Sequence, residues 1–264
     1  MKLYSQKPGA SIKMIADAEF ISVMANIIKN ENIQYVFESG TYLGTGSTET
    51  LANLFINNNK IPSKFITVET NLDYFKTAKR NLAEYKFIDP VFGLSVDYLE
   101  AVKFLVNDTV FGNLEKFDDV FIDHVANPQQ FYLKEIMIGL FQDNLQRTEE
   151  KKNKNFFGST KKGVVEFENN ALAKFCYDVP NEVSLFVLDS AAGIGYYEFS
   201  QVRHLMRNKN YYMVLDDIHH LKHFRSKEYI EHHPEEFRLI GMDTNAGWLI
   251  AKSLREDVND NDNI

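Results

Sequence analysis

The chain has 264 residues, 44% of them hydrophobic and 25% charged, with a formal net charge of −8 and a single cysteine. This is a globular composition with enough length to bury a substantial core, and its acidic balance argues against nucleic acid as a main partner, because phosphate binding needs basic surface. The lone Cys176 excludes an intramolecular disulfide and a multi-cysteine metal site.

Cys176 sits in the apolar helical pattern "ALAKFCYDVP", which predicts a buried structural thiol. The opening stretch lacks the apolar core and cleavage site of a secretory signal. No window approaches the ~18 apolar residues of a membrane span. A soluble cytoplasmic protein is the expectation.

Along the chain, short apolar runs alternate with helical patterns. A helix is predicted over Ser11–Asn30, then a strand at Gln34–Glu38, a helix at Thr48–Asn57 and a strand at Lys64–Glu69. A helix at Leu72–Tyr85, a strand at Val91–Ser95 and a helix at Tyr98–Val106 follow. After a gap come a strand at Leu185–Asp189, a helix at Tyr196–Arg207 and strands at Tyr212–Leu215, Phe237–Met242 and Trp248–Lys252. Continuous apolar runs suit strands buried on both faces of a parallel sheet. The last two strands are joined only by "DTNAG", too short for a crossover, so they form an antiparallel hairpin. The fold class is therefore α/β: a Rossmann-like, doubly wound, mostly parallel seven-stranded sheet with a C-terminal hairpin.

Between about 108 and 182 the rhythm breaks. Two helical stretches flank "QRTEEKKNKNFFGSTKKG", which reads as a mobile solvated loop. This segment is a helical insertion on one domain spanning 1–264, and the polar tail over about 256–264 is expected to be disordered. The apolar "FYLKEIMIGLF" leaves a homo-oligomer contact open.

The first strand runs into "ESGTYLGTGS", with Gly40, Gly44 and Gly46 ahead of a helix start. Glycine lets the backbone turn sharply and lets a ligand come within contact distance, and helix-start N–H groups face the crevice. The Glu-x-Gly-x-x-x-Gly-x-Gly spacing is not that of dinucleotide pyrophosphate binding. The second strand ends in Glu69, which can accept hydrogen bonds from both hydroxyls of a ribose, while Asn71 or Asp73 suits helix capping better. Together these features predict a nucleoside-type ligand.

The order "YVFESGTYLGTGS", "FITVETNLDYFKTAKRNL", "VFGLSVDYLEAV" resembles the class I S-adenosylmethionine-dependent methyltransferases. The resemblance implies S-adenosylmethionine as cofactor, held by Glu38, Gly40, Gly44, Glu69, Ser95 and Asp97, with Asp189 bordering both cofactor and acceptor.

"SLFVLDSAAGIG" places Asp189 at the end of the fourth predicted strand. "YYMVLDDIHHLKHF" places Asp216 and Asp217 at the end of the fifth, with His219, His220 and His223 beyond. Converging carboxylates repel, and a hard cation such as Mg²⁺ relieves that with oxygen ligands while lowering the pKa of a bound hydroxyl. This trio is similar to that of the macrocin-type, metal-dependent O-methyltransferases. The likeness implies Mg²⁺ on Asp189, Asp216 and Asp217, with a saccharide or small-molecule hydroxyl as acceptor. Those relatives often carry a titratable group shortly after the fourth-strand Asp, which "DSAAGIG" lacks. His219 or His220 is then the candidate base. Asp118, Asp119, Asp123 and His124 fall in the insertion, where loop and cap roles are expected. A cofactor-binding scaffold without catalysis and a nicotinamide-dependent oxidoreductase remain the alternatives.

Overall fold

The computed structural model describes residues 14–123, 126–157, 164–191 and 193–254, with backbone alone over 151–157. The tail expected to be disordered and His124 lie outside the described residues.

Asp17 caps α1 (Ala18–Asn30), its carboxylate accepting from Glu19 N–H at 2.8 Å. The helix therefore starts later than the pattern from Ser11 suggested, since the capping acid lies at position 17. Then follow β1 (Ile33–Ser39), α2 (Ser47–Asn57), β2 (Lys64–Glu69), α3 (Leu72–Asn81), β3 (Ile88–Leu94) and α4 (Tyr98–Asn107). The long α5 (Pro128–Phe157), β4 (Glu168–Asn169) and α6 (Ala171–Asp178) fall in the segment expected to be an insertion. The chain ends with β5 (Val183–Leu188), α7 (Gly195–Leu205), β6 (Tyr211–Leu215), α8 (Phe224–His232), β7 (Phe237–Asp243) and β8 (Trp248–Ser253).

Among the described residues the sheet has eight strands, in the order β4-β3-β2-β1-β5-β6-β8-β7. All neighbours from β4 to β6 pair in parallel, and β8 runs antiparallel between β6 and β7. The Rossmann-like α/β class and the terminal hairpin stand as expected. The eighth strand is β4, whose two residues pair with Gly93 and Leu94 at the sheet edge. Two residues leave no periodic signal in a sequence. The charged segment taken for a loop is helical as far as Phe157, because α5 continues through it, and 158–163 lie outside the described residues.

Successive strand residues enter opposite cores, as the pleat requires. Val36, Leu185, Val187, Tyr212, Val214 and Ile250 pack with α1 and α2. Phe37, Phe186, Leu188, Met213, Leu215 and Leu249 pack with α4, α5, α6 and α7. Cys176 is buried in the second core, and burial pushes its thiol up to about 12, as expected of an inert structural group. On the far side of α5, Met137 and Phe141 stay exposed. No helix among the described residues is long and apolar enough to cross a membrane.

Parallel pairing brings the carboxyl ends of β1, β2, β3, β5 and β6 to one edge of the sheet. In open α/β sheets that edge is where ligands bind.

Candidate functional site

A cavity of about 240 Å³ opens at that edge. Its walls include Ser39 and Gly40 after β1, Glu69 and Asn71 after β2, Ser95 after β3, Asp189 and Ser190 after β5, and Glu135 and Ile136 of α5.

Gly40 has φ +92°, and a Cβ there would lie 2.2 Å from the Asp189 carbonyl oxygen. Only glycine allows the loop to turn against β5 at this point. Beyond it, Tyr42 N–H donates to Glu69 Oε2 at 2.7 Å and Asn71 N–H donates to Glu69 Oε1 at 2.8 Å. Each carboxylate oxygen keeps a lone pair for the cavity. Burial pushes Glu69 up to about 7, against the pull of those backbone donors. Asn71 caps α3, leaving Glu69 out of that role. Tyr42 and Tyr74, both lining the cavity, meet edge to face with ring centroids 4.8 Å apart.

Three residues expected to hold the cofactor do not line this cavity. Glu38 is fully buried, and its oxygens accept from the hydroxyls of Ser47, Thr48 and Thr67 at 2.6–2.7 Å. It seats the start of α2 on β2, so its charge is spent on local hydroxyls. Gly44, at φ +78°, is needed for packing, since a Cβ would lie 2.9 Å from Leu82 Cγ. Asp97 caps α4, accepting from Glu100 N–H at 3.1 Å and from Asn169 Nδ2 at 2.8 Å. Gly40, Glu69, Ser95 and Asp189 do line the cavity.

The carboxylates of Asp189, Asp216 and Asp217 converge, each offering an oxygen within 4.8 Å of the others. What they converge on is a lysine. Lys222 Nζ lies 2.6 Å from Asp189 Oδ1 and 2.9 Å from Asp217 Oδ2, with its side chain only 6% exposed. Burial disfavours the ammonium, but the three carboxylates outweigh that and raise its pKa well above the ordinary lysine value. Burial likewise works against the Asp217 charge, and Lys222 again prevails, holding that carboxyl below its usual range. Burial and the Asp189 charge push Asp216 up to about 8. Its side chain hydrogen-bonds Asp189.

This donor set does not fit a divalent cation. A metal ion would have to displace an ammonium already bonded to two of its three ligands, or lie beside that second positive charge. The expected Mg²⁺ site is thus corrected: the positive charge comes from the chain. Lys222 reaches the cluster because Asp217 adopts φ +57° and the backbone turns back, His220 N–H donating to the Asp217 carbonyl at 2.8 Å. The sequence signal was a lysine inside a carboxylate-rich stretch, beside histidines that drew attention first.

The expected base is corrected too. His220 Nδ1 accepts from Lys222 N–H at 3.1 Å, so its proton sits on Nε2, 2.9 Å from Asp123 Oδ2. Both ring nitrogens are engaged, and Tyr132 OH lies 3.4 Å from Nε2. Asp123, read as a loop residue, instead holds this histidine across 97 positions of sequence. His219 is exposed, with Nε2 2.9 Å from the Thr244 carbonyl on the β7–β8 turn, and does not line the cavity. His223 is buried, donating from Nε2 to the Leu188 carbonyl at 2.9 Å. Burial holds its pKa far below the usual value, keeping it neutral.

The raised Asp216 has a signed consequence. Its pKa of about 8 in the folded state exceeds the ordinary 3.8, so the stability it confers is fully present in acid and lost as pH rises toward 8. Asp216→Asn mimics the protonated form. It should match wild type near pH 4 and exceed it near pH 8 by on the order of 5 kcal/mol in urea unfolding. Curves that stay parallel from pH 4 to pH 8 would refute the raised pKa.

No protein-family model and no curated protein matches the sequence. Among solved structures, the chain is similar to one in a fibrillarin/Nop5p complex, at 8% identity and TM-score 0.42, over 89% of this chain and 81% of that one. It is also similar to an rRNA methylase from Streptococcus thermophilus, at 8% identity and TM-score 0.38, over 89% and 94%. A third is M. capricolum TrmK in complex with S-adenosyl-homocysteine, at 10% identity and TM-score 0.35, over 91% and 71%. The expectation that nucleic acid is no partner, drawn from the acidic composition, is not kept. Net charge sums over the whole chain and does not describe the surface around one crevice.

Proposed function

We propose that the chain is an S-adenosylmethionine-dependent methyltransferase with its cofactor in the cavity between β1, β2, β3 and β5. The observation that carries this reading is the shared wall of Gly40 and Glu69: a loop that only glycine can build, beside a carboxylate with lone pairs free for a ribose. When bound, the cofactor supplies a methyl group activated by its sulfonium. The chain's own task is alignment of an acceptor at the Asp189 side of the cavity. The Lys222-bridged carboxylates give that side a fixed pattern of charge.

The finer expectation, Mg²⁺-assisted transfer to a saccharide hydroxyl with a histidine base, finds no support in this arrangement. Lys222 holds the carboxylates and His220 is fully engaged. The acceptor is open, and RNA belongs in the screen beside small hydroxyl and amine compounds.

Calorimetric titration with S-adenosylhomocysteine tests the cofactor reading. Wild type should bind, and Glu69→Ala should weaken binding by about 100-fold or more through loss of charge-assisted hydrogen bonds. If folded, ligand-free wild type binds a nicotinamide dinucleotide instead, the chain is an oxidoreductase-type protein and the proposal fails. Binding without turnover across the whole acceptor screen would favour a cofactor-binding scaffold.

A further inference from the structure

Glu198, an acid on the first turn of α7, is fully buried and bonded to serines that line the cavity. Ser190 Oγ donates to its Oε2 at 2.6 Å and Ser39 Oγ donates to the same oxygen at 3.3 Å. The Ser95 hydroxyl also interacts with it. These serines stand at the ends of β5, β1 and β3, and each lines the cavity. Oε1 accepts no hydrogen bond from the described residues.

The chemistry of this floor follows from its donors. A carboxylate can only accept, so Ser190 and Ser39 spend their protons on Glu198 Oε2 and show only lone pairs to the cavity. Lys222 acts on Glu198 from nearby but is already bonded to Asp189 and Asp217. A buried carboxylate with an unmatched oxygen is costly unless a positive charge arrives. Burial accordingly pushes Glu198 up to about 7.

We propose that Glu198 and its serines form a charge-selective floor that holds a cationic cofactor and releases its neutral product. This rests on the cofactor reading above. In methyl transfer the S–CH₃ bond breaks with its electron pair left on sulfur, while a lone pair of the acceptor forms the new bond to carbon. The sulfur passes from sulfonium to neutral thioether, and its attraction to Glu198 vanishes at that moment. The floor thus favours substrate cofactor over product without contacting the reacting atoms.

Two stable probes separate the charges. Sinefungin carries a protonated amine where the cofactor carries its sulfonium, and S-adenosylhomocysteine is neutral there. In calorimetric titrations, Glu198→Gln should weaken sinefungin about 10-fold or more and S-adenosylhomocysteine less than about 3-fold. Ser39→Ala, which keeps the charge, should leave the ratio of the two affinities within about 3-fold of wild type. Equal weakening of both probes by Glu198→Gln, or no change in either, overturns the proposal and makes Glu198 a packing element. Glu198→Met serves the same comparison if the glutamine variant does not fold. A wild type that binds neither probe would count against the cofactor reading itself.

Discussion

Replacing Lys222 by methionine should lower the unfolding free energy by about 3–5 kcal/mol, the usual cost of removing one partner from a buried ion pair. The ammonium is 6% exposed and lies within hydrogen-bonding distance of Asp189 and Asp217, so its loss leaves two carboxylates facing each other, the Asp189 side chain 25% and the Asp217 side chain 54% exposed. Asp216, pushed up to about 8 by burial and the Asp189 charge, supplies no positive charge in its place. The same variant should gain what wild type has no room for, a divalent-cation site. Oxygens of Asp189, Asp216 and Asp217 already lie within 4.8 Å of one another. Adding Mn²⁺ should raise the melting temperature of Lys222→Met in proportion to the logarithm of metal concentration and leave wild type unmoved. An equal rise in both proteins would show that lysine and metal do not compete. A variant as stable as wild type would show that the pair contributes nothing.

The second large effect is at Gly40. Its φ of +92° is strained for any residue with a Cβ, and that Cβ would lie 2.2 Å from the Asp189 carbonyl oxygen and 2.8 Å from its carbon. Those are backbone atoms of a central strand end, which cannot rotate aside. Gly40→Ala should therefore cost about 3 kcal/mol or more, combining backbone strain with displaced packing. It should also remove cofactor binding, because the loop and the Asp189–Ser190 corner form opposite parts of one wall. Gly46→Ala is the matched control. Its Cβ meets nothing within 4 Å, and a loss below about 1 kcal/mol is expected there. If the two variants unfold alike and both still bind S-adenosylhomocysteine, the loop is not shaped by contact with β5.

The resident lysine also changes what the carboxylate trio means. Spacing at strand ends suggested a metal because three acids without a counter-charge are untenable. The electrostatic reasoning holds, and only the source of the positive charge differs. A divalent ion would make the site depend on its concentration, whereas Lys222 makes the charge permanent and covalently placed.

Local chemistry was legible without coordinates. "IQYVF", "SLFVL" and "YYMVL" are apolar without alternation because β1, β5 and β6 are covered on both faces, so the pattern records burial directly. The short "DTNAG" left no option but an antiparallel return, and Gly40 and Glu69 announced a ligand edge through backbone freedom and charge at strand tips. Glu198 left a weaker mark, an acid four residues before the buried Val202 on one helix face. Pairings across the fold left none. Asp123 meets His220 over 97 positions, Ser39 meets Glu198 over 159, and Lys222 returns to Asp189 over 33. Side-chain partners so far apart are chosen by strand order and by the turn after β6, which no local pattern encodes. Glu38 shows the same limit from the other side. Its place at the strand end was right, but three hydroxyls from α2 and β2 closed over it and turned an expected ligand contact into a structural one.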